Sequence, residues 1–329
     1  MSKFRIIGAG SPLVDYSAAV DDEFLFRCVP GCKGGTVHID HQGREKIFAG
    51  LSGKELLRTP GGAAANTISA LGKLDVECAF FGKAGVDDDG DFFCQELINS
   101  GVSPEYLIRA AGDTGYCISL VTPDAERTMR SNLGISTALT PAEWEKCDFS
   151  EFSWLLSEGY MLQIDSFDRI FDCAHAGNCA TALDLSSVEI AARMRNTLPE
   201  LLQNKIDLVL CNADEAAALT GIDSPEKNAE YLAQKCSIAV VKLGAAGSLI
   251  KRAEEPLLQI PPFAPEKVQD TTAAGDHYAA GFFYGIAHGC DLEKCGIFGS
   301  LLGGAVTGVK GSRLTPEAWD EVNSKINQL

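Results

Sequence analysis

Short β-rich runs alternate with helix-length segments along this chain, and that alternation restricts the possible folds more than any other feature. Phe4 to Ile7, Ile206 to Cys211 and Ile238 to Val241 are strand-like, and Ser224 to Lys235 has the length of a helix. The pattern predicts an α/β fold with a mostly parallel sheet covered by helices. No Pro/Ser/Gly-rich bridge, low-complexity tract or fixed-period repeat divides the chain. At 329 residues and 46% hydrophobic content it can bury a large core, as one large domain or two of ordinary size.

Within that frame, Asp270 to Gly281 (DTTAAGDHYAAG) places a small-residue turn and a carboxylate at the mouth of a helix. The strand-like stretch before it ends at Val268, and Tyr278 to His288 carries apolar residues at helical spacing. Asp276 then falls in the first turn, where the N–H groups of Ala274, Gly275 and Asp276 have no intrahelical acceptor and the helix dipole favours an anion. Ala273, Ala274 and Gly275 have no bulky side chain to keep a phosphate off those N–H groups, and Asp276 could take a proton from an incoming hydroxyl. Taken alone, the same string also describes a capped helix after a tight turn.

Four other segments share this strand-and-turn character. Arg5 to Asp15 (RIIGAGSPLVD) reads as a buried strand running into a Gly/Pro turn and an aspartate. Pro60 to Leu74 has two glycines opening a helix with Ile68, Leu71 and Leu74 at three-residue steps. Phe81 to Asp88 with Gly90, then Leu97 to Val102, gives strand, loop and helix. Lys242 to Gly247 (KLGAAG) follows the run Ile238 to Val241. Lys242 could reach a phosphate as a point charge or stand solvated at a strand end.

DTTAAGD resembles the signature of the PfkB family of carbohydrate and nucleoside kinases, usually DTxGAGD, with Ala273 in the Ala-for-Gly form similar to ribokinases. The other segments match that family in register over residues 5 to 311. The resemblance implies a ribokinase-like fold in which a small β-sheet lid closes over the site. Its core would span about 1–15, 60–112 and 134–329, and its lid about 16–59 and 113–133. In the lid, Thr36 to Phe48 would turn at His41 to Gly43, and Tyr116 to Met129 would turn at Pro123 and Asp124.

By the same resemblance, Asp276 is the general base and the amides of Ala273, Ala274 and Gly275 form an anion hole. Asp15, Gly61, Gly62 and Asn66 hold the acceptor. Lys242, Gly244, Gly247 and Thr271 bind ATP, although the family often has Thr at the position of Lys242. Asn212 and Glu215, an N-x-x-E element, organise Mg²⁺ and phosphate. A monovalent cation, K⁺, would sit at the edge of the anion hole near Asp270 and Thr272. Asp276 needs no raised pKa in this scheme, because the helix N-terminus favours its charged form. His277 is unusual after that aspartate, and its direction is open.

The net charge of −17, from 28 Lys+Arg against 45 Asp+Glu, argues against nucleic acid or an anionic membrane surface as the main partner. The run Asp87 to Asp91 (DDDGD) lacks the spaced ligands of a calcium loop and reads as a solvated turn. Twelve scattered cysteines, among them Cys78, Cys117 and Cys211, without signal peptide or C-x-x-C spacing, read as small buried residues of a cytoplasmic protein. Two other classes compete. Gly8-Ala9-Gly10 after a strand could open a dinucleotide site, but Pro12, Leu13 and Asp15 fit a turn better than a helix. A sugar-binding protein without catalysis would be expected to lack the base, and Asp276 is present.

The expected activity is therefore transfer of the ATP γ-phosphoryl group to a hydroxymethyl oxygen of a small-molecule sugar or nucleoside, by a monomer or homodimer. Gly10 to Leu25 is similar to adenosine kinases and DTTAAGD to ribokinases, whereas Thr122 to Met129 occurs in both. A nucleoside or ribosyl acceptor is favoured over a ribokinase, fructokinase or ketodeoxygluconate-type substrate.

Overall fold

Continuous apolar strands put side chains on both faces of a sheet, and here both faces are covered. Ile6, Leu208, Leu210 and Val240 enter one buried cluster while their neighbours Ile7, Val209, Cys211 and Val241 enter another. The computed structural model describes residues 4–124 and 126–329. In chain order it contains β1 (Arg5–Ala9), β2 (Leu13–Ala19), β3 (Gly35–His38), β4 (Leu57–Gly61), β5 (Glu77–Gly85), β6 (Val102–Ser103), β7 (Leu107–Ala110) and β8 (Thr114–Val121). After β9 (Arg127–Gly134) come β10 (Trp154–Glu158), β11 (Ala180–Asp184), β12 (Leu208–Asn212), β13 (Ile238–Lys242), β14 (Ser248–Arg252) and β15 (Leu258–Ile260).

Ten of these strands form the main sheet, in the order β15-β14-β13-β12-β11-β10-β1-β5-β6 with β7 also paired to β5. All neighbours from β13 to β6 are parallel, and the pairs β13–β14 and β14–β15 at one end are antiparallel. The fold is thus α/β with a mostly parallel sheet, as the alternation implied. After β1 the chain enters β2 directly, so Gly8-Ala9-Gly10 opens no helix and the dinucleotide fingerprint is incomplete.

A second sheet of five strands has the order β3-β9-β8-β2-β4. The hairpin expected at Pro123 and Asp124 is present as the antiparallel pair β8–β9, with Ala125 outside the described residues. The turn expected at His41 to Gly43 is not. Asp40 accepts the Gly43 N–H at 2.8 Å and starts a helix, α2 (His41–Gly50). Asp21 does the same for α1 (Asp22–Cys28), accepting from Phe24 at 2.7 Å. N-cap chemistry overrides a weak strand pattern in both places. Phe24, Leu25 and Ile47 of these helices join Val14, Tyr16, Ile118 and Leu120 of the sheet in the core.

Two further expectations are corrected. The strand before the DTTAAGD loop ends at Ile260, and residues 261–272 cross to the site without regular structure, because three prolines deprive that stretch of ladder donors. The DDDGD run is the start of a helix, α4 (Asp88–Asn99): Asp87 caps it by accepting from Gly90 at 2.8 Å, and Asp89 is buried. The first-turn carboxylates complement the helix dipole there. No helix among the described residues is long and apolar enough to cross a membrane.

Candidate active site

Four adjacent parallel strands, β10 to β13, end in Glu158, Asp184, Asn212 and Lys242. In open α/β sheets the C-terminal strand edge is where ligands bind, since strands stop there and helix N-termini converge. A cleft of about 710 Å³ opens along this edge, large enough for a nucleotide. Asp184, Asn212, Glu215 and Lys242 line one wall, and Phe263 and Val268 of the irregular crossing lie on another. Gly244, Gly247, Thr271, Ala273, Ala274, Gly275 and Asp276 also line it, so every residue expected to hold ATP or its phosphates shares one cavity.

The helix Ala274–Ala287 points its N-terminus into this cleft. Its cap, Ala273, has φ +59°, a left-handed conformation that costs a non-glycine residue about 1 kcal/mol or more. The turn leaves the Gly275 and Asp276 N–H groups without an acceptor among the described residues, while Ala274 N–H contacts the Thr271 carbonyl at 3.3 Å. A Cβ at Gly275 would lie 3.0 Å from Lys242 Nζ, so glycine lets the ammonium stand against this turn without shifting.

Asp276 accepts from Asn66 Nδ2 at 2.9 Å, and Thr67 Oγ1 donates to the Asp276 carbonyl at 3.0 Å. Both partners lie on α3 (Ala63–Gly72), which thus holds Asp276 by its carboxylate and by its main-chain carbonyl. Asn66 Oδ1 is buried without a hydrogen-bond partner among the described residues. Burial raises the Asp276 pKa to about 7, against the Asn66 bond and with help from the Asp184 charge. The expectation of an unraised pKa is therefore corrected: desolvation outweighs the helix terminus.

Lys242 is not a solvated strand end. Its side chain is only 12% exposed and donates to Asp184 Oδ2 at 2.7 Å, on a side chain that is 10% exposed. Asp184 and Glu215 hold it well above the usual lysine range despite burial. Glu215 and Asn212 form a capping box, Asn212 Oδ1 accepting from Glu215 N–H and Glu215 Oε2 from Asn212 N–H, each at 2.8 Å. Burial, then the Asp184 charge, pushes the Glu215 carboxyl upward.

Gly62 begins α3 at φ +97°, and a Cβ there would lie 2.5 Å from the Ser11 carbonyl. A Cβ on Gly61 would meet the Asp15 carboxylate at 2.3 Å, so glycine keeps the space around that carboxylate open. Burial raises the Asp15 pKa to about 6, opposed by Arg313. Asp15, Gly61, Gly62 and Asn66 do not line the nucleotide-sized cleft, and of the four Asn66 is bonded directly to Asp276. Asp270 accepts from Thr272 N–H at 2.9 Å, Thr272 Oγ1 at 2.6 Å and Gly311 N–H at 3.1 Å, which pins the loop. His277 does not line the cleft: it is buried with Nδ1 at 3.1 Å from the Ala273 carbonyl, and burial lowers its pKa to about 4.

Sequence reasoning missed Glu158, Asp184 and Arg127. Glu158 accepts the Ser11 and Ala64 N–H groups at 3.0 and 2.9 Å and so fixes the start of α3. Asp184 pairs with Lys242. Arg127 of β9 donates to Thr272 Oγ1 at 2.5 Å, linking the second sheet to the DTTAAGD loop. A usable signal existed for the first two: WLLSE and ATALD are apolar runs that stop on a carboxylate, as LVLCN stops on Asn212.

The family model described as pfkB family carbohydrate kinase matches residues 32–319. The chain belongs to that family. It is 30% identical to an adenosine kinase structure from Sinorhizobium meliloti, with a TM-score of 0.85 over 98% of this chain and 99% of that one. A probable sugar kinase from Rhizobium etli superposes with a TM-score of 0.87 at 28% identity over the whole of both chains. Aminoimidazole riboside kinase of Salmonella typhimurium is 30% identical over 245 residues, 69% of this chain and 74% of that protein. This chain is accordingly a kinase that phosphorylates an alcohol group of a sugar or nucleoside, and family membership implies ATP and, generally, Mg²⁺.

Proposed function

We propose that the acceptor is a nucleoside or another ribosyl compound and that its hydroxymethyl group is phosphorylated at Asp276. The observation that carries this is that Asp276 lines the nucleotide-sized cleft and accepts a hydrogen bond from Asn66, which the family resemblance assigns to the acceptor with Asp15, Gly61 and Gly62. Support for the ribosyl acceptor comes from the adenosine kinase and riboside kinase relatives.

In this reading Asp15 and the orphaned Asn66 Oδ1 accept hydrogen bonds from acceptor hydroxyls. Asp276 takes the proton from the attacking hydroxyl as the oxygen–phosphorus bond to the γ-phosphorus forms and the bond to the β–γ bridging oxygen breaks. The Gly275 and Asp276 amides and Lys242 hold the charge that develops on the phosphoryl oxygens. Mg²⁺ neutralises phosphate charge when bound. The oxygen-rich wall of Asn212, Glu215 and Asp184 fits a hard cation held through water, and no group of three His, Cys, Asp or Glu side chains among the described residues forms a cage for it. A K⁺ ion would sit outside the anion hole, near Asp270 and Thr272. The second sheet, with residues 16–59 and 113–133, acts as a lid that excludes water from the transfer.

A coupled assay of ATP turnover against adenosine, other nucleosides, ribose, fructose and ketodeoxygluconate tests the acceptor. Highest kcat/KM on a nucleoside is expected. Preference for fructose or ketodeoxygluconate would overturn the ribosyl assignment while leaving the kinase intact.

A further inference from the structure

Asp89 lies outside the cleft and has no part in the chemistry above, yet it is a buried carboxylate bonded by three side chains at the second sheet's junction with the core. It projects from the first turn of α4, on the main-sheet side, and its side chain is 5% exposed. Three donors from the second-sheet side converge on it. Arg44 of α2 donates to Oδ2 at 2.5 Å, Arg58 of β4 donates to Oδ1 at 2.6 Å, and the Tyr16 hydroxyl of β2 donates to Oδ1 as well. Arg58 also donates to the Asp88 carbonyl at 2.8 Å.

Aromatic rings fix both guanidinium groups. Arg44 lies 4.4 Å from the ring centre of Tyr116 on β8 and 5.3 Å from that of Phe48 on α2, and Arg58 lies 4.2 Å from that of Phe92 on α4. One core carboxylate thereby joins α2, β2 and β4, with β8 held through the Arg44 stack.

Tyr16 and Arg58 are direct partners across the β2–β4 ladder, and the next pair along is Asp15 with Thr59. Successive side chains point to opposite faces, so the face bonded to Asp89 is the reverse of the face that presents Asp15. Gly61 ends β4 three residues after Arg58. We propose that Asp89, with Arg44, Arg58 and Tyr16, is a latch that sets the position of β2 and β4 on the core and thereby the distance from Asp15 and Gly61 to Asp276. The functional half of this proposal rests on the reading that Asp15 and Gly61 hold the acceptor. Asp89 is then a positioning residue, since it touches neither substrate.

Breaking the latch leaves two guanidinium groups without their buried partner, which frees the strands they hold. In Asp89→Asn, hydrogen exchange of the free protein is expected to quicken in β2 and β4. The KM for adenosine, or for the acceptor that the panel identifies, is expected to rise by about tenfold to hundredfold, while the KM for ATP stays unchanged. Asp89→Glu should recover part of both effects, and Asp88→Asn, which removes only the exposed pair of Asp88 with Arg58 at 2.9 Å, should produce much less of either than Asp89→Asn. Unchanged exchange in β2 and β4 overturns the latch whatever the kinetics. Faster exchange with an unchanged acceptor KM overturns the positioning role, provided Asp15→Asn does raise that KM. If Asp15→Asn has no effect, the acceptor reading has failed separately, and exchange alone decides the latch. If Asp89→Asn does not fold, Arg44→Gln and Arg58→Gln each leave one ion pair in place, and an unchanged exchange rate in both overturns the proposal.

Discussion

The cleft edge of the main sheet and the root of the second sheet both bury charge, but with opposite balance. At the cleft Asp184, Glu215 and Asp276 gather around the ammonium of Lys242, with the Glu158 charge also acting on Asp276, and burial pushes the Glu215, Asp276 and Glu158 carboxyls upward. At the root two guanidinium groups share Asp89. An excess of buried carboxylates is costly unless protons or cations offset it, whereas a carboxylate between two arginines is already satisfied. The cleft is therefore unfinished without ligand, and the root is complete in itself. Charge removed from the cleft should alter chemistry and pH response, and charge removed from the root should alter the placement of strands.

The largest effect expected on the cleft side is Asp276→Asn, which keeps shape and loses the proton acceptor. Its kcat should fall by about 10² to 10⁴ while ATP affinity changes little. A folded, saturable Asp276→Asn enzyme with near wild-type kcat would reduce Asp276 to a helix-capping carboxylate and break the contrast.

The same carboxylate sets a pH signature. With a pKa of about 7 in the folded protein, Asp276 is the required base only when deprotonated, so kcat/KM should climb as pH rises through about 7. For stability the sign is reversed. A carboxyl whose pKa is raised by folding stabilises the fold below its unfolded pKa of 3.8, and that contribution is lost as pH rises toward about 7. Asp276→Asn should therefore melt no lower than the wild type at pH 8. A lower melting temperature there would mean that the buried charge is stabilising.

Lys242→Met should act on both measures. It strands Asp184 and Glu215 in the cleft wall, and loss of one partner from a buried pair costs about 3 to 5 kcal/mol. It also removes a positive charge that lowers the Asp276 pKa, so the rise of kcat/KM should move to higher pH. Denaturant unfolding and a pH profile check the two effects. An unshifted profile would separate Lys242 from the base.

The two regions also differ in how much of them could be read from residues alone. The DTTAAGD loop is local: its helix, its small residues and Asp276 in the first turn follow from neighbours within a dozen positions. Main-sheet strands such as Ile238–Lys242 were legible for the same reason, since apolar β-branched runs need no distant partner to be recognised. The root is different. Asp89 meets Arg44 and Arg58 from 45 and 31 positions away, and no periodicity in DDDGD signals that. The α2 helix was hidden in a stretch whose residues alternate weakly, although Asp40 three residues before Gly43 is an N-cap signal that could have revealed it. The choice between the two readings of Lys242 stayed open because the surroundings of its ammonium depend on Asp184, which lies 58 positions earlier.

The smallest expected effect tests whether the cleft relies on backbone shape or on side chains. Ala273 lines the cavity at φ +59°, where a Cβ is strained and glycine is not. Ala273→Gly relieves about 1 kcal/mol or more of that strain. It also gives the unfolded chain more freedom, which offsets about 0.4 to 1 kcal/mol. A net gain of under about 1 kcal/mol in denaturant unfolding is expected, with kcat within about twofold, because the amides of Gly275 and Asp276 stay in place. A stability loss would show that the methyl group contributes packing that outweighs the strain. A tenfold fall in kcat would show that this methyl group holds the loop in register for phosphate. The cleft would then depend on a side chain in the way the root depends on Asp89, and the distinction between a backbone-built site and a side-chain-built joint would fail.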